Sequence, residues 1–128
     1  MKLSGGIDAY FQLINDILAR SLVIKSQDIF AEKRTLTEGY LRANVYFTDG
    51  SRLHFRELVT TEPSVKRISY PYHYQRADGT VVFRYDDAPH FPSLLKAPDH
   101  KHVGETDVIS SDRPDLESVL KEIETLIA

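Results

Sequence analysis

Apolar residues recur at helical spacing close to both ends of the chain. Residues 8–21 and the position after them show the pattern of an amphipathic helix, at Tyr10, Phe11, Leu13, Ile14, Ile17, Leu18 and Leu22. A second apolar stripe near the C-terminus consists of Leu116, Val119, Leu120, Ile123 and Ile127. Asp112, a good capping residue, and Pro114, which suits a first helical turn, precede this stripe. The pattern predicts an N-terminal and a C-terminal helix.

Two Asp-Gly pairs between these helices predict β-hairpins, and the first is Asp49-Gly50. It separates two apolar-rich runs, residues 40–47 and 52–59. A two-residue turn needs positive φ at both central residues. Such a turn would place Tyr46 opposite Leu53 and Val45 opposite His54. The latter position favours a sheet-surface or partly buried role for His54 over a ligand role.

The second hairpin is predicted around Asp78-Gly79, between residues 68–75 and 81–86. Its cross-strand pairs would be Tyr72 with Tyr85, His73 with Arg84, and Tyr74 with Phe83. Alternation along the two strands sends Tyr70, Tyr72, Tyr74, Phe83 and Tyr85 to one face. The opposite face receives Pro71, His73, Gln75, Val82, Arg84 and Asp86. We expect the aromatic face to be core, with a stacking platform for bases as the alternative. The other face would carry the chemistry.

The order of these elements defines the expected fold. Residues 23–34, with their β-branched and aromatic side chains, predict one more strand with a bend near residues 26–28. The prediction is an α+β fold: an antiparallel β-sheet of about five strands, with the N-terminal and C-terminal helices packed on one face. A length of 128 residues favours a single domain, 1–128. The exposed strand at residues 23–34 could pair across a homodimer.

Composition removes several classes of function. The chain has no cysteine, which excludes disulfides, thiolate metal sites and cysteine nucleophiles. No apolar run is long enough to cross a membrane, so we expect a cytoplasmic protein with no membrane partner. The net charge of −3 argues against a generally basic nucleic-acid coat. A local basic patch would still leave RNA binding open, at Arg76, Arg84, Lys96 and Lys101.

His73 and Arg84 form the first candidate site. A neighbouring cation favours the neutral imidazole, which can accept a proton, and a guanidinium can hold a phosphate bidentately. This pairing suits cleavage of a phosphate ester by general acid–base catalysis. Ordinary solvent-facing neighbours on a sheet would show the same spacing, so a structural role stays open.

Residues 87–106 lack apolar periodicity and are predicted to form a long loop rich in possible ligands. These are His90, His100 and His102, with Asp86, Asp87 and Asp99 nearby. His100 and His102 would project to the same side of an extended segment. They could hold a divalent metal together with His90. Without a metal, one of the three histidines could act as the acid that partners His73.

Four motifs in order carry a family resemblance over essentially the whole chain. They are Asp-Gly-Ser-Arg-Leu-His-Phe at 49–55, Tyr-His-Tyr-Gln at 72–75, Phe-Arg-Tyr-Asp-Asp-Ala-Pro-His at 83–90, and His-Lys-His-Val-Gly at 100–104. In this combination the chain resembles the TumE family of prokaryotic toxins. The resemblance implies a toxin of a toxin–antitoxin pair. Its partner would be a cognate antitoxin, expected to be a helix-turn-helix protein encoded nearby.

The resemblance also selects the residues expected to line the site. The catalytic candidates are His73, Arg84, Tyr85, His90, His100 and His102. The substrate-binding candidates are Gln75, Asp86 and Lys101. Chemistry assigns His73 as base, Arg84 as phosphate anchor, and His100 or His102 as acid in a metal-independent ribonuclease with no cofactor. The alternatives are a non-catalytic binding module for RNA or a protein, and a metal-dependent hydrolase using the three loop histidines.

Overall fold

The computed structural model describes residues 5–127, which form two helices and an eight-stranded antiparallel sheet. The helices are α1 (Gly6–Ala19) and α2 (Leu116–Ile127). The first four strands are β1 (Ile24–Lys33), β2 (Glu38–Phe47), β3 (Arg52–Thr60) and β4 (Lys66–Ser69). The others are β5 (Tyr72–Gln75), β6 (Val81–Asp86), β7 (His100–Val103) and β8 (Asp107–Ser110). The strand order is β1-β2-β3-β5-β6-β7-β8, and β4 pairs with β3 beside β5.

One face of the sheet packs under both helices and forms the core. Alternate residues of β2 and β3 are buried there, such as Val45 and Phe55. Ile14 of α1 and Ile123 of α2 belong to the same apolar cluster. The predicted α+β class, with both helices against one side of the sheet, is therefore confirmed. No helix within residues 5–127 combines the length and apolar character needed to cross a membrane.

The sheet has more strands than the five predicted. The predicted strand 68–75 is divided between β4 and β5, and Pro71 between them has no amide hydrogen for the ladder. β7 lies within residues 87–106, where a loop was predicted, and β8 follows directly after them. β7 reads His-Lys-His-Val, so it offers no apolar alternation to predict a strand. It nevertheless pairs with β6 on one side and β8 on the other.

The first hairpin has a different register from the predicted one. Gly50 has a φ of 86°, whereas Asp49 does not take positive φ. The amide of Phe47 donates to the Ser51 carbonyl over 2.9 Å, which leaves three residues in the turn. The extra turn residue shifts the pairing by one position, so Asn44 and not Val45 lies opposite His54. Because a one-residue slip reverses the face of a strand, His54 lies on the side away from the helices.

The second hairpin has the predicted pairs Tyr72–Tyr85, His73–Arg84 and Tyr74–Phe83. Its turn is also one residue longer than expected, because the Arg76 amide donates to the Thr80 carbonyl. Tyr74 pairs with Phe83 and Gln75 pairs with Val81, so Val82 is an additional residue in β6. This β-bulge restores the predicted pairing. Val82 consequently packs against the core, so its predicted place on the polar face was wrong.

Candidate functional site

The open face, defined as the side of the sheet away from the helices, carries a continuous row of polar side chains. Cross-strand pairing places Asn44 opposite His54, His54 opposite His73, His73 opposite Arg84, and Arg84 opposite His102. We call these five residues the histidine row. Neighbouring strands lie about 4.8 Å apart, so the row brings together residues that are distant in the chain. It joins residues from both hairpins and from β7 into one potential site.

Further arginines lie beside the histidine row. Arg42 and Arg56 oppose each other on β2 and β3, two residues from Asn44 and His54 respectively. On the other side of the row, Arg52 pairs with Gln75 and donates a 2.7 Å hydrogen bond from Nη2 to Oε1 of the Gln75 amide. The predicted substrate-binding residue Gln75 therefore lies on the open face. Together with Arg84, these side chains place four arginines on the open face, which also carries the acids Asp28, Glu32, Glu38 and Asp86.

His54 is a candidate residue that the sequence reasoning did not select. Its Nδ1 lies 3.1 Å from Oδ1 of Asn44. Because an amide oxygen only accepts, the neutral imidazole carries its hydrogen on Nδ1 and leaves Nε2 with a lone pair. Burial lowers the pKa of His54, and the cations of Arg52 and Arg56 lower it further. The three-residue turn places His54 on the same face as Asn44, and the non-local pairing of β3 with β5 places it opposite His73, so the sequence offered no signal for either.

His73 lies at the centre of the row in an unusual environment. Its Nε2 is buried and has no hydrogen-bond partner among residues 5–127. Burial lowers the pKa of His73, followed by the positive charge of Arg84 and the influence of His54. An unsatisfied buried nitrogen generally costs about 1–3 kcal/mol, and such atoms call for an explanation such as a catalytic role. His73 is therefore a neutral imidazole with an unused bonding position.

Arg84 occupies the position between His73 and His102. Its guanidinium forms a salt bridge with Asp86, with 3.0 Å between Nη2 and Oδ2. Burial alone would raise the pKa of the Asp86 carboxyl, but the Ala88 amide and Arg84 lower it below its usual value. Asp86 thus orients Arg84 as an ionised partner. Both predicted site residues lie on the open face.

His102 flanks Arg84 on the side opposite His73. The His102 side chain is part-exposed. Burial lowers its pKa first, followed by His100 and Arg84. The two histidines on either side of Arg84 therefore titrate below the ordinary histidine value.

His100 also projects to the open face, as predicted, but it is only 1% exposed. Its Nδ1 lies 3.0 Å from the Pro98 carbonyl oxygen, and its ring packs against Phe91 with 4.9 Å between ring centroids. The segment that precedes β7 thus covers His100. Of the two candidate acids, His102 is the accessible one. His90 is exposed and lies in the segment between β6 and β7.

Tyr85 and Lys101 lie on the helix-covered face, apart from the histidine row. The Tyr85 hydroxyl donates to Oε1 of Glu122 over 2.6 Å, and Lys101 Nζ lies 2.8 Å from Oε2 of the same carboxylate. Burial and then the Glu122 hydrogen bond raise the pKa of the Tyr85 hydroxyl. Both residues attach α2 to the sheet, and the structure does not bring them to the other site candidates.

The metal alternative needs at least three suitable ligands close together. Within the described part of the chain, residues 5–127, no group of three or more His, Asp or Glu side chains is arranged to hold a metal ion. His100 and His102 do approach each other, with 5.0 Å between ring centroids. The structure does not group His90 with them as a metal site.

The fold and the open face define a small α+β protein with a sheet surface that bears histidines and arginines. A comparison with protein families matches residues 11–127 to the family model described as Toxin TumE. The chain therefore belongs to the TumE toxin family, and this membership implies a cognate antitoxin. No curated protein and no solved structure matches it.

Proposed function

We propose that this toxin is a ribonuclease whose reaction centre is formed by His73, Arg84 and His102. The observation that supports it best is the arrangement of two histidines on either side of one arginine, in adjacent strands of the open face. Acid–base cleavage of RNA needs one proton acceptor, one proton donor and a cation for the phosphate. The histidine row offers all three in adjacent strands.

The proposed reaction is an internal transesterification. Neutral His73 takes the proton of the ribose 2′-hydroxyl, and the 2′-oxygen forms a bond to phosphorus. The bond from phosphorus to the 5′-oxygen breaks, and His102 donates a proton to that oxygen from its protonated form, which is the minor form because burial lowers its pKa. The products are a 2′,3′-cyclic phosphate and a 5′-hydroxyl end. Arg84 would stabilise the negative charge that develops on the phosphate oxygens.

The spacing of the sheet fits these roles. His73 and His102 are separated by two inter-strand steps, or about 10 Å between backbones, with Arg84 midway. Side chains that converge from this separation can reach opposite sides of one phosphate. Arg84 is held from one side by Asp86, and a guanidinium has further N–H groups that can bind a phosphate.

The shielding of His73 favours a second candidate, a surface that binds RNA without cutting it. Nε2 of His73 is buried, so its ring must rotate or its neighbours must separate before that nitrogen meets a substrate. The arginines of the open face would bind phosphates in either case. The two functions differ in whether a cleaved product appears.

The proposal extends to the partner and the cellular setting. We propose that the cognate antitoxin is a helix-turn-helix protein and that it neutralises the toxin by covering the open face. An RNA target places the action in the cytoplasm. β1 is an edge strand of the sheet, which supports the idea that it pairs across a homodimer.

Controlled expression in cells tests the toxin activity and its chemistry together. Wild type should arrest growth and produce discrete RNA fragments, and co-expression of the antitoxin should prevent both. Arg84→Gln should abolish the arrest, whereas Arg20→Gln, at the exposed residue directly after α1, should preserve it. Arrest by the folded Arg84→Gln protein with an unchanged RNA profile would refute the proposed reaction centre. Arrest by wild type without RNA fragments would favour the binding function.

A further inference from the structure

Two aromatic rings lie on the open face beside the His54 end of the histidine row, each next to an arginine. Phe30 of β1 is opposite Arg42, whose guanidinium carbon lies 4.8 Å from the ring centroid. Tyr46 of β2 is opposite Arg52. Along β2, Arg42 and Tyr46 lie two residues before and after Asn44, so the pairs flank the row on both sides.

Neither ring belongs to the core under the helices. Phe30 is 45% exposed, which is high for a large apolar side chain in a strand. Tyr46 is part-exposed, and its hydroxyl has no hydrogen-bond partner among residues 5–127. The buried tyrosines of β5, by contrast, face the helices and cannot receive a ligand from this side. The exposed rings therefore need another explanation.

Stacking of nucleic-acid bases explains exposed aromatic rings that lie next to arginines on a sheet. Sheets that present aromatic side chains bind unpaired bases on them, and arginine planes add to the stacking. Tyr46 is diagonal to His54 across the β2–β3 pair, a separation of about 7–8 Å. A base on Tyr46 would thus be next to the row while its phosphate faces the arginines. A duplex keeps its bases stacked on one another and offers none to these rings.

We infer that Phe30 with Arg42, and Tyr46 with Arg52, are base-stacking subsites that make single-stranded RNA the substrate class of this protein. This inference rests on the proposed function, since it requires the open face to bind RNA. It adds that binding depends on unpaired bases and not on phosphates alone. It also assigns specificity to a part of the sheet outside the reaction centre.

Binding of uncleavable RNA tests the inference separately from catalysis. Fluorescence anisotropy at fixed salt would compare a labelled single-stranded 2′-O-methyl RNA with the duplex of the same sequence. Wild type should bind the single strand more tightly. Phe30→Leu and Tyr46→Leu should each raise the single-strand Kd by about five- to a hundredfold, the effect of losing one stacked base.

Matched variants separate stacking from general damage to the surface. Phe30→Tyr and Tyr46→Phe retain the rings and should bind the single strand within about twofold of wild type. Ile109→Ala, a substitution of an exposed apolar residue on the other face, should have no effect on binding. All variants would be checked for an unchanged thermal unfolding midpoint.

The other outcomes overturn the inference in distinguishable ways. Equal binding of both RNAs, with the Leu variants like wild type and Arg84→Gln weakened, would leave an RNA-binding face without stacking subsites. Leu variants that lose the antitoxin but bind RNA normally would show a protein-docking surface instead. No binding of either RNA by folded wild type would contradict the proposed function as well.

Discussion

His73 becomes a candidate through its neighbours. Burial and Arg84 keep its imidazole neutral, and the fold gives its Nε2 no partner among the described residues. His54 has the same type of environment but a fixed tautomer, because it donates to Asn44. At the residue scale, Arg84 is therefore the charged group that lowers the pKa of His73 most, after burial itself.

Arg84→Gln should raise the pKa of both His73 and His102. The substitution removes a cation that lowers both values, although burial, the larger cause, remains. NMR titration of the histidine ring signals would measure the change without any need for activity. Arg20→Gln, directly after α1, serves as the control and should leave both titrations unchanged. An unaltered pair of pKa values in folded Arg84→Gln would contradict the electrostatic account of the site.

At the scale of elements, β6, β7 and α2 explain which side chains lie on the open face and which lie under the helices. β6 alternates between the two sides, with Arg84 on the open face and Tyr85 bonded to α2 through Glu122. β7 does the same with His102 and Lys101. The carboxylate of Glu122 thus joins the last helix to the strands that carry two of the three residues of the reaction centre.

Glu122→Gln should lower the free energy of unfolding by about 1–2 kcal/mol, because it removes a part-buried ion pair and weakens the bond to Tyr85. Glu117→Gln on the same helix affects an exposed pair with Lys121 and should cost no more than about 0.5 kcal/mol. Urea denaturation of both variants would measure the difference. Equal effects would show that Glu122 does not attach the helix as described.

Much of this arrangement could be predicted from the sequence, and the failures have identifiable causes. Helical periodicity and the Asp-Gly pairs gave both helices and both hairpins. The pairing of His73 with Arg84 was right because a bulge at Val82 compensated the longer turn. No bulge compensated the first turn, so His54 was misplaced. The pairing of β3 with β5 and of β6 with β7 is non-local, and no turn signal encodes it.

At the scale of the whole molecule, charge is grouped locally. The open face carries Arg42, Arg52, Arg56 and Arg84 beside the acids Asp28, Glu32, Glu38 and Asp86. The helices carry Asp8, Asp16, Glu117, Glu122 and Glu124. A chain with a net charge of −3 can therefore still place cations beside the histidine row, where they can bind a phosphate. The helix side also contains a fully buried acid, Glu57.

Glu57→Gln should remove a pH-dependent part of the stability. Glu57 is 1% exposed, and burial raises its pKa although the Tyr10 and Tyr72 hydroxyls donate to it. The carboxyl ionises earlier in the unfolded chain, at about pH 4.3, so wild type should lose stability as the pH rises through the folded pKa.

Urea denaturation between about pH 4.5 and 8 would measure this loss, since the unfolded carboxyl titrates at the lower limit. As the pH rises across that window, the unfolding free energy of wild type should fall relative to that of Glu57→Gln. Parallel pH curves for the two proteins would show that Glu57 is not held protonated by the fold.

The most direct test of the ribonuclease proposal is the chemistry of the ends produced by the purified protein. Single-stranded RNA and DNA of one sequence would be incubated with wild type and His102→Ala, and the products identified by mass spectrometry. We predict that wild type cuts only the RNA and leaves 2′,3′-cyclic phosphate and 5′-hydroxyl ends. His102→Ala should cut about a hundred- to ten-thousandfold more slowly. RNA that is bound but never cut, or DNA cut as readily as RNA, would contradict the proposed role of the histidine row.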